Sequence, residues 1–195
     1  KSPLRRTVLK NAEKYIALKL SLGASEARQT LKNIQKQYGE QISIGLEKEL
    51  GIDRYDYFNI VWDIATHSIV KKTRSPRRIL LILQKKYNLA LVSDAPRVWI
   101  NNILKEFRIQ DLFHNNIFSG EGNRRKRFGN AFSSITRALK IYPRNCIVVG
   151  DQEDTDIIPA KKLGMRTVFV HRTKSSSIAD ICITSIRELP AVLKS

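Results

Sequence analysis

Three aspartates, Asp151, Asp154 and Asp156, fall within six residues of one another, directly after the apolar run Cys146-Ile147-Val148-Val149 and Gly150. The run reads as a buried strand, so Asp151 stands at its carboxyl end. Active sites of open α/β sheets lie at that end of the strands. Carboxylates gathered there suit a hard, oxygen-seeking cation such as Mg²⁺. Asp154 has a second reading, shared with Thr155, as the cap of the helix that follows. Upstream, a second apolar run, Leu89-Ala90-Leu91-Val92, is followed by Ser93-Asp94-Ala95-Pro96. Between the two segments lies a lysine, Lys126, among Arg124, Arg125 and Arg127, with Phe132 six residues on. A compact ammonium of this kind can neutralise crowded carboxylates or a phosphate; the same stretch also reads as a solvated basic loop.

Taken together these segments resemble the motifs of the haloacid dehalogenase (HAD) superfamily. Gly150, Asp151 and Asp156, followed by Gly164-Met165, resemble its fourth motif, and the resemblance implies that Asp151 and Asp156 hold Mg²⁺. Ser93 matches the Ser or Thr of the second motif, which holds a phosphoryl oxygen. Asp94 and Ala95 would add backbone N–H groups where the next helix begins, a place suited to anions. Lys126 matches the lysine of the third motif and keeps its aromatic neighbour, but the K-P-D-P pattern around it is lost. The resemblance thus implies a phosphate-binding set of Ser93, Asp94, Ala95 and Lys126, with Ser93 and Lys126 catalytic.

One motif has no match. HAD phosphatases carry D-x-D-x-T after their first strand, the first Asp being the nucleophile and the second the general acid/base. No such pattern occurs before residue 60, and Asp154-Thr155-Asp156 lies inside the metal loop. Asp53 and Asp56 fall in a helical region with no strand ahead of them. The missing strand is expected just upstream of Lys1, which would make the sequence a fragment, inactive alone. In the family this strand is central to the sheet, so its absence leaves two neighbours without a partner.

The elements that must position these residues divide the chain in two. Over residues 1–70, Leu4, Val8, Ala12, Tyr15, Ile16 and Leu20 recur at helical spacing, and further helices follow Gly23 and Gly39. Tyr55, Tyr57, Phe58 and Trp62 give this part an aromatic-rich face, read as core. Over residues 71–195, strands at 89–92, 116–119, 146–149, 167–170 and 181–183 alternate with helical segments, including 132–141 and 156–163. That alternation predicts a parallel, doubly wound, Rossmann-like sheet. With the resemblance, the expected architecture is a HAD-like α/β core lacking its first strand, joined to an all-α cap.

Composition bounds the rest. The 195 residues carry 35 Lys and Arg against 18 Asp and Glu, a net charge of +17, and the pI is about 10.1. Such a surface attracts RNA or another polyanion through counterion release, although no recognised nucleic-acid fold accompanies it. No run is long enough to span a membrane. Cys146 and Cys182 lie in apolar runs without a C-x-x-C neighbour, which fits buried, reduced thiols in the cytoplasm, or alternatively an organellar matrix. The leading expectation is an Mg²⁺-dependent phosphohydrolase of a small phosphorylated substrate. The alternative is a non-catalytic HAD-like basic protein held in an RNA-rich assembly such as a ribosome.

Overall fold

Helical spacing in the first third of the chain becomes four helices, each burying one stripe. The structure, a computed structural model, describes residues 3–68, 70, 75–121, 126 and 130–193. The basic residues Lys71, Lys72, Arg74, Arg124, Arg125 and Arg127 lie outside the described residues. Helices α1 (Pro3–Leu20), α2 (Ala24–Tyr38), α3 (Ile42–Leu50) and α4 (Arg54–Val61) come first. Helix α1 buries Val8, Ala12, Tyr15 and Ile16, and α2 buries Ala27, Leu31 and Ile34. Helix α3 packs on α2 and α4, and α1 on α2 and α4, so the four close a ring. Gly45 permits the α2–α3 approach: a Cβ there would overlap the Tyr38 ring and Ile34. Asp53 caps α4 by accepting from Asp56 N–H at 2.7 Å. Of the four aromatics read as one core face, Tyr57 and Phe58 are buried, whereas Tyr55 is exposed.

The chain divides into two compact units. One comprises Lys1–Thr73 with Val98–Glu106, the other Arg74–Arg97 with Phe107–Ser195. Within the first, the 98–106 stretch is tied down by polar contacts. Glu106 accepts from Thr66 Oγ1 at 2.8 Å, and Asn102 donates to Asp63 at 2.9 Å.

The second unit is α/β. Its elements are α5 (Arg77–Gln84), β1 (Leu91–Val92), α6 (Arg97–Glu106, most of which belongs to the first unit), β2 (Ile117–Phe118), α7 (Ala131–Ala138), β3 (Ile147–Gly150), α8 (Ile158–Lys162), β4 (Arg166–Val170), β5 (Ile181–Ile183) and α9 (Leu189–Val192). All strand pairs are parallel. They form a two-stranded sheet, β1–β2, and a three-stranded sheet, β3–β4–β5. Side chains alternate along β3 as the pleat requires. Ile147 joins Val168, Ile183, Leu83 and Leu189 on the α5/α9 face. Val148 turns to Phe132, Ala160 and Met165 under α7 and α8. Helices thus cover both faces, the doubly wound arrangement.

Three local expectations change. Residues 156–163 were expected as one helix, but Glu153–Ile157 forms a π-helical turn before α8 begins. Strands parallel on both sides are buried on both faces, yet β1 is only half-buried and Val149 is 40% exposed. Among the described residues, each of β1 and β3 has a hydrogen-bonded neighbour on one side only. Cys182, expected to be buried, is exposed, because its side chain falls on the outer side of the last strand; both cysteines are free thiols.

Candidate functional site at the carboxyl ends of β1 and β3

Strand β3 ends at Gly150, and the π-helical turn that follows folds Asp156 back against that strand end. The approach is close enough that a Cβ on Gly150 would collide with the Asp156 side chain. Asp156 N–H donates to Gln152 O at 2.9 Å, and Asp156 Oδ2 accepts from Gln152 N–H at 3.1 Å. The carboxylate is therefore clamped by its own loop, and the residue is only 4% exposed. π-helical turns inside helices occur often at functional sites; here the turn aims a buried carboxylate at a strand end.

Lys126 supplies the charge that makes this burial tolerable. Its Nζ lies 2.6 Å from Asp156 Oδ1, with the two side chains 16% and 6% exposed. A carboxylate removed from water needs such a partner. The backbone N–H of Lys126 donates to Asp94 Oδ1 at 2.7 Å. One lysine residue thus links the end of β1, through Asp94, to the end of β3, through Asp156.

Ser93 follows β1, and its own N–H donates to Phe118 O on β2 at 3.0 Å. Its Oγ accepts from Ala95 N–H at 3.2 Å, which leaves the hydroxyl hydrogen available to donate outward. The first N–H of the helix after this turn is already engaged. Arg97 N–H, at the start of α6, donates to Glu121 Oε1 at 2.8 Å, and Glu121 Oε2 accepts from Ser119 Oγ at 3.0 Å. Ala95 N–H is thus engaged within its own turn, while nothing among the described residues accepts from Asp94 N–H. Gly120 lets β2 end against this turn, since a Cβ there would meet the Asp94 backbone.

Asp151 and Asp154 are both exposed. Among the described residues no three His, Cys, Asp or Glu side chains converge as a closed metal site. Mg²⁺ does not require one: it binds through one or two carboxylates and keeps several waters. Asp151, exposed at the strand end, and Asp156, clamped beside it, fit that pattern as a two-carboxylate set.

The structure brings Ser93, Asp94, Lys126 and Asp156 to one end of the parallel strands, from three separate stretches of sequence. Sequence reasoning missed the Asp94 side chain as the clamp on Lys126, having assigned Asp94 only a backbone role, and missed Glu121 altogether. The available signal was Ser119-Gly120-Glu121 directly after a strand, a small residue and a carboxylate at a strand end.

The profile of the haloacid dehalogenase-like hydrolases matches residues 7–170. The chain belongs to that family. Among characterised HAD relatives, the N-acylneuraminate-9-phosphatase of Homo sapiens is 27% identical over 125 residues, 61% of this chain and 50% of that protein. The chain therefore spans about half the length of that relative. The glyceraldehyde 3-phosphate phosphatase of Pyrococcus furiosus is 24% identical over 209 residues, 99% of this chain and 87% of that protein. Among solved structures, a HAD phosphatase from Thermococcus onnurineus superposes with a TM-score of 0.67 at 21% identity, covering 98% of this chain and 91% of the other. A 2-haloacid dehalogenase from Pseudomonas syringae pv. Tomato gives 0.64 at 16% identity, covering 98% and 91%. Phosphatases and dehalogenases thus share this HAD-like fold, and fold alone does not choose between their chemistries.

Proposed function

We propose that the protein works as an Mg²⁺-dependent phosphohydrolase of a small phosphate monoester. The observation that carries this reading is Lys126, whose backbone binds Asp94 while its ammonium binds Asp156, so that the second, third and fourth HAD motifs meet at one point. The names of the two relatives, both phosphatases of small phosphorylated metabolites, support the substrate class.

In this reading Ser93 Oγ–H and Asp94 N–H donate to phosphoryl oxygens, and Lys126 offsets the charge of phosphate and carboxylate together. Asp151 and Asp156 would hold Mg²⁺, which would supply the positive charge that offsets repulsion between an anionic phosphate and a carboxylate. The helical unit would have the role of the family's cap, selecting the ester.

No D-x-D-x-T sequence occurs in the 195 residues, so the reaction needs an aspartate nucleophile from a further strand. The open edges of β1 and β3 suit such a strand. Val92 and Val148 pack on the same cluster around Phe132 and Met165 without pairing to each other. A strand between them would set β1 and β3 roughly 9.6 Å apart, two inter-strand spacings. One lysine residue bonded at both ends to aspartates is long enough to bridge that gap.

The test is a phosphate-release screen over small phosphate monoesters with Mg²⁺. The chain alone is expected to be silent. The same chain fused behind an apolar strand ending in D-x-D-x-T is expected to release phosphate. Mg²⁺-dependent release by the chain alone, lost in Asp151→Asn, would overturn the requirement for an added strand.

A further inference from the structure

At the opposite, amino end of β3, β4 and β5 lies a cavity of about 410 Å³ lined by Arg144, Lys161, Arg166, Gly164, Met165 and Asp180. Arg144 sits in the turn before β3, Arg166 opens β4, Lys161 is in the last turn of α8, and Asp180 immediately precedes β5. The catalytic motifs occupy the other end of these parallel strands, so nothing in the proposed hydrolysis uses this cavity.

Its charges are unequal in availability. Asp180 is already saturated: Oδ1 accepts from Lys161 Nζ at 2.6 Å, and Oδ2 accepts from Thr167 N–H at 2.8 Å and from Thr167 Oγ1 at 2.9 Å. That single carboxylate is matched by Lys161. No carboxylate among the described residues pairs with Arg144 or Arg166. Two guanidinium groups therefore face one concavity without acidic partners. Each is a planar fork suited to two oxygens of one phosphate. Beside them stands an aromatic that packing does not explain. Tyr142 is 66% exposed, and the Arg144 guanidinium lies 4.9 Å from its ring centroid.

We infer that this face binds single-stranded nucleic acid, with Arg144 and Arg166 receiving backbone phosphates and Tyr142 stacking on a base. An aromatic platform beside a cationic groove is how single strands are held without sequence preference. The net charge of +17 favours a polyanion over an isolated anion, because each neutralised phosphate releases counterions. The inference stands independently of the phosphohydrolase reading.

The experiment is fluorescence anisotropy of the full chain with a labelled single-stranded RNA of about 12 nucleotides, within the site size of one such surface, across a salt series. Charge elsewhere on the chain is controlled by a second pair of exposed lysines, Lys10 and Lys32. Arg144→Gln with Arg166→Gln is expected to weaken binding at least tenfold and to reduce the slope of log affinity against log salt by about 1.4, two phosphates at ~0.7 each. Tyr142→Ala is expected to weaken binding roughly tenfold with the salt slope unchanged. Lys10→Gln with Lys32→Gln is expected to change affinity less than about twofold. Unchanged thermal unfolding of the Tyr142→Ala protein keeps its loss attributable to stacking. Equal losses from the two charge pairs would overturn the inference in favour of diffuse attraction. Free phosphate competing as well as RNA at equal phosphate concentration would overturn the polymeric ligand. Retention on anionic phospholipid vesicles without RNA binding would assign the face to a membrane surface instead.

Discussion

Lys126 and Asp156 form the contact on which the catalytic reading turns, and the cost of separating them can be anticipated. Lys126→Met would leave a carboxylate at 4% exposure with one backbone donor and no cation. Breaking a buried pair from one side costs about 3 kcal/mol, to be read as a fall in the urea midpoint. Asp156→Asn keeps the shape and the Gln152 contact but removes the charge, and is expected to abolish phosphate release in a strand-completed protein. Gly150→Ala probes the same clamp sterically. Its Cβ would overlap Asp156, and overpacking of this kind costs about 1–3 kcal/mol; unaltered stability in that variant would show that the loop relaxes freely. The spacing of Gly150, Asp151 and Asp156 was legible in the sequence because the motif is local, strand end and loop together. The Asp94–Lys126 and Arg97–Glu121 contacts were not, since each joins residues more than twenty positions apart through a tertiary approach that composition does not encode.

At the scale of elements, Asp180 fastens the loop before β5 to β4 and α8. The Lys161 ammonium, and the Thr167 donors behind it, hold its carboxyl well below the ordinary value of 3.8, at about 2. A depressed carboxyl pKa stabilises the fold above the unfolded value and ceases to do so as pH falls through the folded value. The wild-type protein is therefore expected to be more stable than Asp180→Asn above about pH 4, with the difference disappearing between pH 4 and 2. Exposure of the pair limits the gain to about 1 kcal/mol, within reach of paired thermal melts. In the helical unit, Leu46 is fully buried on α3, the helix that packs on α2 and α4, and Leu46→Ala should cost 2–5 kcal/mol, about the usual range for a buried leucine. Element order and type were readable from apolar periodicity, which survives wherever a face is buried. Strand lengths were not: β1 shrinks to Leu91–Val92, because pairing, rather than the apolar run from Leu89, decides where a strand ends. The π-helical turn at Glu153–Ile157 was hidden for a related reason, since its sequence is equally compatible with an ordinary first turn of helix.

For the molecule as a whole, the parallel strands have two chemically different ends. Carboxylates, a lysine and a serine gather at one end, while guanidinium groups with no carboxylate partner among the described residues gather with an exposed tyrosine at the other. The family and its fold follow from the match over residues 7–170, whereas the substrate is a matter of side chains and of the strand that would lie between β1 and β3. Among the described residues no helix is long and apolar enough to cross a membrane. The net positive charge, visible at once in the sequence, said only that some polyanion is attracted. Which cations of the cavity at the amino end of β3–β5 have a carboxylate partner became apparent only once Asp180 was seen to be occupied by Lys161. The central claim, that these motifs assemble an Mg²⁺-dependent phosphate site, is tested most directly by phosphate release from a strand-completed protein as a function of Mg²⁺, wild type against Asp151→Asn. Saturable Mg²⁺ activation in the wild type, reduced at least a hundredfold in the variant, is the predicted result. Release that is independent of Mg²⁺, or equal in the two proteins, would contradict it.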